Sequence, residues 1–139
     1  MAHYESAQKV RFQHCDPAGI VFYPRYFEMI NAVVENWFDE ALHVPFSTLH
    51  FERNLAVPTV TIKTDFLAPS RLDDDLRMTL EVLALGGSSL NLKIRALCGD
   101  QERLSADVTL VCVAKETIKP TRWPDDIRSQ VEKHLKETP

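Results

Sequence analysis

The chain has little that would staple it, anchor it or draw it to a polyanion. Its 139 residues hold three cysteines, an odd number without a Cys-x-x-Cys pair, which excludes a disulfide framework and the usual zinc spacing. Free thiols are expected instead. No Gly/Ser/Pro-rich linker divides the chain, and 45% hydrophobic residues suffice for one core, so residues 1–139 read as a single domain. No apolar run approaches the roughly 20 residues of a membrane span. Residues 1–10 are too polar for a secretory signal, so a cytoplasmic protein with no membrane partner is expected. A basic stripe is missing too: 16 Lys and Arg against 20 Asp and Glu give a net charge of −4. Phosphate neutralisation needs clustered cations, and no nucleic-acid partner is expected.

What the chain does have is one dense stretch, His14-Cys15-Asp16-Pro17-Ala18-Gly19-Ile20-Val21-Phe22-Tyr23-Pro24, followed by a long apolar-periodic segment reaching Leu42. This reads as a loop that delivers one acid, Asp16, to a helix N-terminus. Pro24 suits the first helical turn, where a missing N–H costs nothing and φ is already near its helical value. The unpaired N–H groups there, and the positive end of the helix dipole, favour anions or polarised carbonyl oxygens. An acid beside a carbonyl-binding site is an arrangement suited to acyl transfer. From Arg25 onward, Phe27, Ile30, Val34, Trp37, Phe38 and Ala41 recur at spacings of three and four, and Met29 and Val33 widen the stripe. Glu28, Glu35 and Asp39 leave only a narrow polar strip, so the helix is expected to be surrounded on most sides. Pro45 ends it, and residues 43–55 read as a connection with a helical turn.

Before the loop, residues 4–13 read as a first strand, with Val10 and Phe12 alternating with Lys9 and Arg11. After the helix the period changes from about 3.6 to 2. Apolar and polar residues alternate over residues 60–66, 76–82, 90–96 and 104–112. The turn-forming segments between them, residues 69–74, Gly86-Gly87-Ser88 and Gly99-Asp100, are short and hairpin-like, which predicts an antiparallel meander. Val111 and Val113 lie on the otherwise polar face and point to cover by another subunit. Residues 124–135 read as a C-terminal helix with Pro124 and two acids in its first turn. The elements amount to an α+β domain: a curved five-stranded antiparallel sheet wrapped around one long central helix, with a short C-terminal helix. Its open edges are expected to pair as a homodimer or a dimer-of-dimers tetramer.

The order of elements and the loop motif resemble the hotdog-fold acyl-CoA thioesterases, in particular the 4-hydroxybenzoyl-CoA thioesterase group. The match lies in Asp16 to Val21, Tyr23-Pro24 and Tyr26. The resemblance implies hydrolysis of an acyl-CoA to free acid and CoA without metal or cofactor, CoA being part of the substrate. It places the catalytic carboxylate at Asp16 and the backbone N–H that polarises the thioester carbonyl at Tyr23. Asp16 would attack the carbonyl or activate a water, and the sequence leaves both open. Two features depart from the group's pattern. An Asp that contacts the aromatic hydroxyl is replaced by Asn31, which hydrogen-bonds without charge. Basic residues of a hairpin are replaced by Gly86, Gly87, Ser88 and Ser89, whose hydroxyls and backbone would meet the pantetheine arm. The CoA phosphates must then find cations elsewhere, with Arg53, Arg71, Lys93 and Lys115 as candidates.

The substrate-binding residues expected are therefore His14, Gly19, Asn31, Ser88 and Ser89, beside the catalytic pair Asp16 and Tyr23. His14 reads as a surface residue at a strand end, a general acid or a residue lining the site, with the first slightly favoured because it would project from a strand just before the turn. Cys15 lacks a partner base and reads as a small buried residue. His14, Cys15 and Asp16 are too close in sequence to converge on one ion, so no metal is expected. Three functions remain in view: a small aromatic or short to medium acyl-CoA as substrate, the same acyl groups on acyl carrier protein, and non-catalytic acyl-CoA binding.

Overall fold

The computed structural model describes residues 3–136. Strand β1 (Tyr4–Lys9) leads through a tight turn at Phe12–His14 to helix α1 (Pro24–Glu40), and a π-helical turn follows at Thr48–Glu52. Then come β2 (Leu55–Ala56), β3 (Thr59–Phe66), β4 (Asp75–Leu85), β5 (Ser89–Cys98), β6 (Gln101–Val111), β7 (Val113–Ala114), β8 (Lys119–Pro120) and α2 (Asp125–Lys136). The main sheet is antiparallel with strand order β1-β4-β5-β6-β3, and β2, β7 and β8 form a small second sheet. This is the sheet-around-helix arrangement expected of the hotdog fold.

The core lies between α1 and the concave face of the sheet. Tyr26, Met29, Ile30, Val33, Val34, Trp37 and Phe38 are buried on the helix, at the spacing that keeps one stripe inward. They meet Leu76, Met78, Leu80, Leu90, Leu92, Ile94, Leu104, Ala106 and Val108 from alternate positions of three strands. Helix α2 adds Ile127 and Val131, and Trp123 just before it is almost fully buried. The α1 stripe is narrower than the sequence implied: Phe27 and Ala41 are only half-buried, and Glu28, Asn31, Glu35 and Asp39 face outward.

Four expectations are corrected. The first strand stops at Lys9, because the Arg11 N–H turns to the Nδ1 of His14 at 2.8 Å and closes a turn that leaves Phe12 83% exposed. Strands β3 and β4 are not neighbours: β3 pairs with β6, so residues 67–74 form a crossover rather than a hairpin. Alternation reports which face a residue takes but not which strand lies beside it. The apolar residues of β3 do not enter the core either; Val60, Ile62 and Phe66 are 56%, 38% and 47% exposed on an edge strand. Val113 is buried within the chain, because it opens the second sheet rather than continuing β6 on the outer face.

Candidate functional site

Residues 15–21 form a tight antiparallel turn, with Cys15 bridged to Val21 and the Asp16 N–H donating to the Ile20 carbonyl at 3.0 Å. Gly19 adopts φ of 79°, a left-handed conformation that glycine takes without steric cost. The Ala18 N–H donates to Oδ1 of Asp16 at 2.9 Å, which is the Asx geometry that fixes the carboxylate on its own turn. Asp16 is half-buried and opens on a cleft of about 360 Å³ lined by Phe12, Cys15, Pro17, Gly19 and Leu72. Its second oxygen has no partner among the described residues.

The start of α1 offers a single unused amide. The Phe22 N–H donates to the His14 carbonyl at 2.9 Å, Pro24 has none, and the Arg25 and Tyr26 N–H groups close back on Phe22 and Tyr23 at 2.8 and 3.1 Å. Only the N–H of Tyr23 is left without an acceptor among the described residues of this turn. That is where the orphan donors and the dipole of a helix start attract an electron-rich oxygen. Tyr23 lines a second cleft, of about 280 Å³, with Ile20, Val21, Tyr26, Phe66 and Leu67. Gly19 lines the cleft of Asp16, and its neighbours Ile20 and Val21 line this one.

His14 is buried and builds the turn rather than lining it: its ring accepts from Arg11 and its carbonyl from Phe22. Burial pushes its pKa below the usual imidazole range, which keeps the ring neutral. Asn31 is exposed on α1 and lines a separate cleft of about 440 Å³ with Phe27, Val57, Pro58, Thr59 and Ile62. Ser88 and Ser89 sit at the far end of β4, an eleven-residue strand that begins beside the Asp16 region. Within one chain they are on the order of 30 Å from Asp16. The Ser89 carbonyl accepts from the Trp123 indole at 3.0 Å, so this hairpin is tied to the C-terminal segment.

The candidate cations divide by pairing. Arg53 holds Asp126 through two bonds of 2.7 and 2.8 Å, and Lys93 pairs with Asp107 at 3.0 Å. Lys115 donates to the His50 carbonyl at 2.9 Å and lies over the Phe51 ring. Arg71 is exposed, and its guanidinium makes no hydrogen bond or close ion pair among the described residues, though its charge is felt at Asp74; its backbone bridges Ile20. Of the four it stands nearest the Asp16 turn in the hydrogen-bond pattern. Among the described residues no three His, Cys, Asp or Glu side chains are grouped to hold a metal ion, and no helix is long and apolar enough to cross a membrane.

Sequence reasoning missed one cluster beside the turn. The Tyr26 hydroxyl donates to the Oγ of fully buried Ser70 at 2.9 Å. The guanidinium of Arg103 reaches the same Oγ at 3.2 Å, the Pro69 carbonyl at 3.0 Å and Oδ2 of Asp74 at 2.8 Å. Asp74 also accepts from the Arg71 N–H at 2.8 Å. Arg103 and then this backbone bond hold the Asp74 carboxyl below the ordinary carboxylate range. The one signal in the sequence was Tyr26 itself, since a tyrosine on an apolar stripe needs a partner for its hydroxyl.

The chain has relatives both in sequence and in fold. The family model of the thioesterase-like superfamily matches residues 10–131. An acyl-CoA thioesterase of Haemophilus influenzae is 25% identical over 128 residues, covering 92% of this chain and 93% of that protein. A 4-hydroxybenzoyl-CoA thioesterase of a Pseudomonas species is 33% identical over 70 residues, half of each chain. Among solved structures, a Staphylococcus aureus protein in complex with CoA superposes with a TM-score of 0.91 at 16% identity, over 99% of this chain and 87% of that one. A 1,4-dihydroxy-2-naphthoyl-CoA thioesterase from Synechocystis gives 0.84 at 20% identity, over 94% and 96%. With the family model spanning nearly the whole domain, from the end of the first strand to the last helix, the chain belongs to the thioesterase-like superfamily.

Proposed function

We propose that this chain hydrolyses acyl-CoA thioesters to free acid and CoA, with Asp16 as the reacting carboxylate and the Tyr23 N–H as the donor to the thioester oxygen. The observation that carries the reading is the pairing of a carboxylate tied at one oxygen and free at the other with a helix start that keeps one amide unused. A donor fixed in advance of the reaction stabilises the oxyanion as charge develops, an effect of about 10²- to 10³-fold for one group. Asp16 attacks the carbonyl carbon, giving a mixed anhydride that water then opens, or takes the proton of the attacking water. The thiol leaves with a proton in either route, and the carboxylate is regenerated.

The acyl group is a small aromatic or a short to medium chain. Supporting this, the relatives include an acyl-CoA thioesterase and a 4-hydroxybenzoyl-CoA thioesterase, and the clefts along α1 are lined by Phe27, Tyr26, Phe66, Val57 and Ile62. The Asn31 amide offers such a group a neutral hydrogen bond. The bare edge of β3, with Val60, Ile62 and Phe66 exposed, supports pairing with a second copy as a dimer or dimer of dimers. Ser88 and Ser89 would then meet a substrate held at Asp16 only from another copy. Of the four candidate cations, Arg71 is the one whose guanidinium makes no hydrogen bond among the described residues, which supports it as a contact for a CoA phosphate.

The test is thiol release from benzoyl-, phenylacetyl- and straight-chain acyl-CoAs, with one acyl group also presented on acyl carrier protein. Hydrolysis of at least one CoA ester, faster than of the carrier-protein ester, is expected. Tight binding without acid product would replace the enzyme with a binding protein.

A further inference from the structure

Among the described residues, every backbone hydrogen bond that leaves the 16–21 turn ends on residues 70–72. The Val21 N–H donates to the Ser70 carbonyl at 2.8 Å, the Leu72 N–H reaches the Gly19 carbonyl at 3.4 Å, and Ile20 is bridged to Arg71. The remaining bonds of the turn are internal to it. The position of Asp16 is therefore set by the crossover together with the His14–Phe22 bond at the base of the turn.

Backbone bonds tie that crossover to Val10 at Asp73 and Asp74 and to the Arg103 carbonyl at Leu67 and Ala68, and Ser70 ties it to α1. Oγ of Ser70 accepts from Tyr26, which lies on the first turn of α1, and from Arg103, which lies on β6. The Arg103 side chain is only 12% exposed, and a buried guanidinium is costly unless its donors are met. Asp74, Pro69 and Ser70 of the crossover meet three of them, and Oε1 of Gln101 on β6 accepts from Nε at 2.6 Å. Tyr26 sits three residues after Tyr23, so the same hydroxyl that holds Ser70 also holds the helix start.

We infer that Tyr26, Ser70 and Arg103 are positioning residues of the site, setting the Asp16 carboxylate relative to the Tyr23 amide through the 69–74 crossover. The inference rests on the catalytic reading of Asp16 and Tyr23. It assigns to three side chains from α1, the crossover and β6 the task of keeping the carboxylate and the donor at a working separation. Small displacements of reacting groups cost rate far more than they cost affinity, because binding draws on the whole CoA and chemistry on one geometry.

The test is steady-state kinetics of Tyr26→Phe, Arg103→Gln and Arg103→Lys, with thermal melting of each. Val131→Ala, which loosens α2 far from the brace, serves as the stability control. Tyr26→Phe should lower kcat by about 10-fold to 10²-fold with KM within about twofold of the parent. Arg103→Gln should do likewise, and Arg103→Lys should recover part of the loss, since an ammonium can still reach Asp74. Val131→Ala should melt earlier and keep its kcat. A kcat within twofold of the parent for both Tyr26→Phe and Arg103→Gln overturns the proposal, as does a fall in kcat that tracks melting temperature in all four variants. If the parent protein hydrolyses no acyl-CoA, the catalytic reading itself fails, which is a separate outcome.

Discussion

Asp74→Asn is a direct probe of how the crossover is held. The substitution keeps shape but removes the charge that Arg103 faces at 2.8 Å and that the Arg71 N–H meets at 2.8 Å. The Arg103 and Asp74 side chains are 12% and 27% exposed, so the pair is partly shielded and both groups suffer if one is neutralised. Hydrogen bonds to charged groups contribute about 1.5–3 kcal/mol, and screening at this exposure places the expected loss at the lower end, about 1–2 kcal/mol. For a domain of 139 residues that is roughly 3–8 °C in melting temperature. The pH dependence gives the sharper check. The Asp74 carboxyl is depressed in the folded state, chiefly by Arg103. Its contribution is therefore present above the unfolded carboxylate pKa of about 3.9 and is lost as pH falls through the folded value. Urea unfolding at fixed protein concentration should show the variant weaker at pH 7 and the gap closing below about pH 4. Equal stability at pH 7, or a gap that does not change with pH, would refute the role given to this ion pair.

Two further outcomes follow from the geometry. Trp123→Phe removes the indole N–H bond to the Ser89 carbonyl at 3.0 Å while that carbonyl keeps the Gly86 N–H at 2.9 Å, and should cost about 0.5–1.5 kcal/mol of unfolding free energy for the lost bond, read by denaturant titration. Gly19→Ala meets no neighbour within 4 Å, so its cost is the left-handed backbone alone, about 1–2 kcal/mol; a lowered kcat with an intact fold by circular dichroism is expected, because the strained residue lies in the Asp16 turn.

What could be read from the sequence was what is local. The spacing of Met29, Ile30, Val33, Val34, Trp37 and Phe38 announces a buried helix, and the two-residue period around Gly86-Gly87 and Gly99-Asp100 announces the β4-β5-β6 meander. The Asp16 turn could also be read, because its proline, glycine and acid each enforce local geometry. The partner of β3 could not, since its alternation is compatible with any neighbour and its apolar residues turned out to line a bare edge. Phe12 was misplaced because one hydrogen bond from Arg11 to His14 ends the strand early. The brace was out of reach for the same physical reason: Tyr26 and Ser70 are 44 residues apart, and nothing in either one's neighbourhood names the other.

The most direct measurement is the turnover of Asp16→Asn on an acyl-CoA that the parent protein hydrolyses. The asparagine oxygen can still accept from the Ala18 N–H, so the turn, the fold and the melting temperature should be preserved while the carboxylate is lost. The account predicts a kcat lower by about 10²- to 10⁴-fold with substrate binding retained. A variant that turns over at the parent's rate would contradict it.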